Sequence, residues 1–246
     1  MEASPAQLLA SLALGLTCLI GIVVGGRTLV VWLRTRQFAE LAIGLNCISL
    51  SAGAALIVLL TRAPALKASA PGAVLWGLSL VLLGTHVLAM FFGTWQIFRA
   101  SRSWPLVLCA PAALAVILFV IWSWLAYEPS AERSLLYDGT RLVGFAWTSY
   151  ECFRFSSQLR RRARLGLGDA AIAHRIALWG IASGSQLATS ALSVFSSAVL
   201  GLRIMDTSGG LLTVAVLGLS GSLCIALAFF PPRAYTRWLS AAESPA

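Results

Sequence analysis

Seven predominantly apolar runs, each long enough to cross a bilayer, follow one another along this chain with only short polar breaks between them. They lie near 8–33, 38–60, 74–98, 106–126, 142–159, 176–200 and 211–230. A spanning helix needs about 20 such residues. Hydrocarbon offers no water to an open backbone, so each run must satisfy its own hydrogen bonds. Seven helices with short connections use up nearly all of the 246 residues, which leaves no room for a separate catalytic or DNA-binding domain. The expected fold class is all-α: a polytopic membrane protein, a seven-transmembrane-helix bundle forming a single domain over 1–246. Only 11% of the residues are charged, against about 25% in a soluble domain.

The breaks carry the residues that end helices. Pro64 and Pro71 frame the second connection, Trp104-Pro105 opens the fourth helix and Glu128-Pro129 closes it. Asp206 to Gly210 precede the seventh, and Pro231-Pro232 end it. Orientation follows from the arginines. Of the 18 basic residues, all but Arg62, Lys67, Arg133, Arg141 and Arg203 fall on the side of the first, third and fifth connections and the carboxyl tail. The five exceptions are balanced by Glu2, Glu128, Glu132, Asp138 and Asp206, so the net charge of +9 sits on one face. The positive-inside rule makes that face cytoplasmic and puts the amino terminus outside. The basic balance therefore reads as topology and contact with anionic lipid, not nucleic-acid binding.

The most basic stretch, Arg160 to Asp169, is expected to anchor the inner end of helix five at the headgroups; docking an acidic protein partner is the second reading. Trp104, Trp122, Trp124, Trp179 and Trp238 fall near the expected interfaces, where an amphipathic ring is favoured. Glu2 and no basic residue precede the first run, so that run is read as a retained helix, not a signal peptide. Cys18, Cys47, Cys109, Cys152 and Cys224 each lie in a different run without C-x-x-C spacing, which suits small core residues and neither zinc nor a disulfide framework. Helices one to three and five to seven are compatible with two triplets around helix four.

Polar residues inside the runs form two layers. Near the midplane lie His86 on helix three, Gln186 and Thr189 on helix six, Asn46 and Ser49 on helix two, and Ser220 on helix seven. Gln186, Ser190, Ser193 and Ser197 recur at helical spacing on one face. These six residues, His86, Gln186, Thr189, Ser49, Asn46 and Ser220, are the candidate ligand-binding set. For the serines, helix packing is the preferred account. Gln186 has two donors and an acceptor to satisfy. For His86 a structural role and a ligand or proton-relay role stand level. Near the cytoplasmic surface lie Arg27, Glu40, Glu151 and Arg154, a candidate ion-pair layer in which Glu151 and Arg154 sit three apart. A structural clamp is the plainer account of that layer and a gate the sharper one.

Several activities are argued against. A retinal protein needs a lysine in its last helix for the Schiff base, and the only lysine is Lys67, in a connection, so seven helices alone do not make this a rhodopsin. His86 and His174 lie on different helices, which does not suit a metal-dependent hydrolase. Gly218-Leu219-Ser220-Gly221 matches the nucleophile pattern of rhomboid-type proteases, but no histidine follows it. No Pro-Gln dipeptide of the sugar-efflux transporters occurs, and no phosphate loop. No catalytic set, metal site or cofactor is expected.

The stretch Arg34-Thr35-Arg36-Gln37-Phe38-Ala39-Glu40-Leu41, leading to Gly44, resembles an R-T-R-x-x-x-E-L-x-x-G motif of an uncharacterised family of bacterial seven-helix membrane proteins. Leu165-Gly166-Leu167-Gly168-Asp169 and Arg175 to Trp179-Gly180 look like that family's fifth connection. The chain departs from the pattern at Ala39 and Ala171, where the family often carries proline. The resemblance implies a multi-pass protein of the bacterial inner membrane and no particular activity.

The preferred functional reading is a receptor-like or sensor protein that binds a small apolar or weakly polar molecule within the bundle. The alternatives are a small-solute transporter or channel and a non-catalytic scaffold or accessory subunit. Expected partners are the bilayer, anionic lipid at the basic face, a small-molecule ligand, and a protein partner or further copies of the chain.

Overall fold

A computed structural model describes residues 5–126, 131–202, 204, 207–232 and 235. Glu2, Glu128, Arg203, Asp206, Arg233, Arg237 and Trp238 lie outside the described residues. The helices are α1 (Pro5–Thr35), α2 (Phe38–Arg62), a single turn α3 (Pro64–Lys67), α4 (Ala70–Arg99), α5 (Leu106–Ala126), α6 (Ala131–Arg164), α7 (Ala170–Val199) and α8 (Ser208–Phe229). Among the described residues there is no strand.

Local chemistry sets the ends. Ser69 caps α4 by accepting from Gly72 N at 3.3 Å, with Pro71 in the first turn, where its missing N–H costs nothing. Asp169 and Thr207 cap α7 and α8 in the same way, from Ala171 N at 2.8 Å and Gly210 N at 3.1 Å. Helix α6 stops at Gly166, whose positive φ of 71° lets its N–H reach Ala163 O while Leu167 N reaches Arg162 O. This αL glycine closure satisfies the last carbonyls of the helix.

Five helices, α1, α2, α4, α5 and α8, are both long and apolar enough to cross a membrane. The helices α6 and α7 match them in length, at 34 and 30 residues, but are less apolar. The chain is thus a helical membrane protein whose outer surface is apolar and whose interior holds small polar side chains beside an apolar core. Leu12 and Leu125 are 71% and 77% exposed, whereas Ser79, Ser156 and Ser190 are fully buried.

The long helices run alternately up and down. Six of them close a ring in the order α1, α2, α4, α6, α7, α8, and α5 packs outside it against α4 and α6. Contacts in the ring show the directions: Gly21 faces Ser51 and Gly25 faces Gly44 across antiparallel α1 and α2, while Thr94 meets Thr148 and Arg99 meets Glu151 between parallel α4 and α6. At Gly25 an added Cβ would stand 2.9 Å from the Gly44 carbonyl oxygen, so only glycine allows α1 this close to α2. A core of Val87, Met90, Phe91, Cys109, Val116 and Phe145 ties α5 to α4 and α6. The arginine-rich ends of α1, α4 and α6 share one end of the bundle, here called the basic end.

Candidate binding cavities

Two cavities are stacked along the inside of the ring. The lower, nearer the basic end, holds about 100 Å³ and is lined by residues that include Asn46, His86, Thr94, Thr148, Trp179 and Gln186. The upper holds about 320 Å³ and is lined by an apolar wall with Tyr137, Asp138, Arg141, Gln186, Thr189 and Ser193 among it. Thr17, Leu50, Ser51 and Gln186 line both, so the cavities abut at that level.

The lower cavity is built around a reciprocal pair. Asn46 Nδ2 donates to the backbone oxygen of His86 at 3.2 Å, and His86 Nδ1 lies 3.3 Å from the backbone oxygen of Asn46. A carbonyl only accepts, so Nδ1 carries the proton, and Nε2 of the neutral ring is left as an acceptor. His86 is fully buried, and among the described residues its Nε2 has no hydrogen-bond partner. The ring packs against Phe145 at 5.8 Å between centroids. Below it Thr94 and Thr148 share a hydrogen bond of 2.7 Å that ties α4 to α6.

Of the candidate binding residues, His86, Asn46 and Gln186 come together around the lower cavity, and Thr189 joins Gln186 in the upper one. Ser49 is buried but lines neither. Ser220 is exposed on the outer side of α8, its hydroxyl bonded to the carbonyls of Val216 and Leu217 in its own helix, at 2.7 and 3.1 Å. Helical spacing places a serine on a face but does not say which face turns inward. Trp179 turns to the interior, packing on Phe98 at 6.0 Å, while Trp104, Trp122 and Trp124 are exposed.

The four residues of the basic-end layer do not form one network. Glu151, 2% exposed, pairs with Arg154 at 3.5 Å and more closely with Arg99 at 2.8 Å. Arg99 was not among the expected four because α4 had to lie parallel to α6 for it to reach. Arg27 sits over the Phe230 ring at 4.5 Å, and the Glu40 carboxylate accepts from the Thr35 hydroxyl. Arg175 Nε donates to Ala228 O at 2.6 Å, fastening α7 to α8 at the same end.

The α6 half of the upper polar group, Tyr137, Asp138 and Arg141, was not among the expected site residues, whereas Gln186 and Thr189 were. The apolar run at 142–159 suggests a helix starting there, with Asp138 and Arg141 in the connection before it. Helix α6 instead begins at Ala131, and both charges lie within the bundle. Arg141 Nη1 is 3.1 Å from Asp138 Oδ1 and Nη2 donates to Gln186 Oε1 at 3.2 Å; Ser193 donates to the other Asp138 oxygen. The Asp138–Arg141 spacing of three is a helical signal, and it was legible upstream of the apolar run.

Fold and interior together define a membrane-embedded helical bundle with a largely apolar hollow into which a few polar side chains are set. No family model, no curated protein and no solved structure matches the chain.

Proposed function

We propose that all seven long helices span the bilayer, amino terminus outside and basic end in the cytoplasm, and that the protein is receptor-like, binding a small, weakly polar molecule in the lower cavity. Spanning by α6 and α7 is supported by what they turn outward. On α6 the exposed residues include Leu135, Val143, Tyr150 and Phe153; on α7 they include Ile172, Ile181, Phe195 and Val199. Polar side chains on these helices, such as Ser156, Ser183 and Ser190, are buried instead, the reverse of a helix in water. A bacterial inner-membrane location rests on the family resemblance alone.

The observation that carries the binding reading is His86 Nε2, a buried acceptor without a partner among the described residues, on a residue lining a cavity. Buried polar atoms are nearly always hydrogen-bonded, and a ligand hydroxyl or N–H would complete this one. The test is native mass spectrometry of the purified protein beside His86→Ala and Gln186→Ala, each checked for folding by its melting curve. A small molecule retained by the wild type and lost from both folded variants is the expected result. Three equally folded and equally empty proteins would leave the scaffold reading instead.

The stacking of two cavities that meet at Gln186 favours transport as the second reading. Flux of the bound molecule into proteoliposomes separates it from a receptor, in which binding occurs without passage.

A further inference from the structure

We propose that the upper cavity is a second binding site, for an uncharged amphiphile: a long apolar chain ending in a hydroxyl or amide. The site does not depend on occupancy of the lower cavity, although the two share Gln186.

Three observations carry this. The first is the shape of the polarity. Leu14, Ala54, Ile57, Leu211 and Val214 form an apolar wall, and the polar side chains come chiefly from neighbouring turns of α6 and α7. About 320 Å³ is at the lower end of the range for small-molecule pockets, and one aliphatic chain suits it.

The second is charge balance. Arg141 and Asp138 already neutralise each other at 3.1 Å, with side-chain exposures of 12% and 14%. A carboxylate ligand would have to draw Arg141 away from Asp138, and an ammonium would have to draw Asp138 from Arg141. In low-dielectric surroundings, either exchange strands a buried charge. A head without charge disturbs nothing.

The third is the unsatisfied hydrogen-bonding capacity. Arg141 Nε and the Tyr137 hydroxyl are buried without a partner among the described residues. Nε–H only donates and the phenol both donates and accepts, so the pair calls for an oxygen that can accept. The guanidinium is held over the Tyr137 and Phe145 rings at 5.3 and 5.4 Å, which fixes its plane. An alcohol or amide oxygen supplies the acceptor, and the alcohol O–H or amide N–H can donate to the phenol oxygen.

The test is photolabelling of the full-length protein in phosphatidylcholine nanodiscs with hexadecanol carrying a mid-chain diazirine. The matching acid and amine serve as head-group controls, and labelled peptides are read by mass spectrometry. Saturable labelling of peptides covering 10–18, 54–58 and 211–218, displaced by plain hexadecanol, is expected, with the acid and amine at least five-fold weaker. The paired change Asp138→Asn with Arg141→Gln should cut labelling at least five-fold. Ala215→Phe, which fills the cavity without touching a charge, should do the same. His86→Ala should leave it unchanged, so failure of the lower site is read separately. Labelling that does not saturate, or that persists in both the paired variant and Ala215→Phe, is contact with the bilayer only and overturns the proposal. Equal or stronger labelling by the acid or amine overturns it as well.

Discussion

At the basic end, which partner is removed from the Glu151 cluster should matter more than how many contacts are lost. Glu151 is 2% exposed, whereas the side chains of Arg99 and Arg154 are 21% and 41% exposed. Arg99→Ala removes the 2.8 Å charge-assisted bond and leaves a buried carboxylate held only by Arg154 at 3.5 Å. Breaking a buried pair costs about 3–5 kcal/mol; with Arg154 still present, the lower figure, about 3 kcal/mol, is expected. Glu151→Gln keeps an acceptor for Arg99 and loses the charge, and both arginines can swing their heads outward along their aliphatic stems. Its expected cost is about 1–2 kcal/mol. Arg154→Ala removes the longer contact, made by the more exposed of the two arginines, and should cost less than about 1 kcal/mol. At roughly 2–4 °C per kcal/mol for a chain of this size, the three variants should separate clearly in melting curves recorded in one detergent. Equal shifts for Arg99→Ala and Arg154→Ala, or a larger shift for Glu151→Gln than for Arg99→Ala, would refute the reasoning, because the carboxylate would then not be the desolvated member.

Two further outcomes follow from packing and topology. Gly25→Ala brings a Cβ to 2.9 Å from the Gly44 carbonyl oxygen and 3.0 Å from Ile48 N, both backbone, whereas at Gly77 the nearest atoms to an added Cβ belong to the ring of Trp124, which is 54% exposed and can turn away. The first should lower stability by about 1–3 kcal/mol and the second by less than about 1, read from the same melting curves; the opposite order would refute the packing. Cysteines introduced singly at Leu165 and Ala65 in a background without the five native ones should react with a membrane-impermeant maleimide from opposite sides of intact vesicles. Labelling of both from one side would remove the seven-span topology.

Much of the architecture was legible because hydrocarbon imposes so few solutions: α5 coincides with the run at 106–126, and the other long helices extend or trim the expected runs by a few residues at most ends. The exception is α6, which reaches 11 residues further toward its amino terminus than the apolar run, and with it went the charged half of the upper polar group. Hydropathy finds residues that meet lipid, and Asp138 and Arg141 meet each other instead. Asn46 and His86 could be named from depth alone, but their reciprocal pairing needed α2 and α4 to be neighbours. Ser220 shared that depth and faces outward, because depth fixes height in the membrane and leaves rotation about the helix axis open. Arg99 depended on a parallel contact between helices that are not consecutive, which no local pattern encodes.

The two long helices that fall short on apolarity, α6 and α7, are also the ones that supply Asp138, Arg141, Gln186 and Ser193. If those residues only held helices together, stability would be poorly served by them, since an ion pair taken out of water recovers its desolvation cost incompletely. Asp138→Leu combined with Arg141→Met tests this directly. Both charges go together, so none is stranded, and the apolar replacements suit the wall that Leu14 and Ile57 already form. Replacing a buried pair in this way is commonly neutral or stabilising by about 1–4 kcal/mol. The expected outcome is a melting temperature equal to or above that of the wild type, together with loss of the displaceable hexadecanol labelling. Arg141→Met alone should instead destabilise, because Asp138 then stays buried without its charge partner, held by the Ser193 hydroxyl. A double variant that melts well below the wild type would mean that the pair pins α6 to α7 through Gln186 and Ser193, and that its place inside the bundle is a matter of assembly. A stable double variant without the binding would leave recognition as the reason for keeping two charges at this depth.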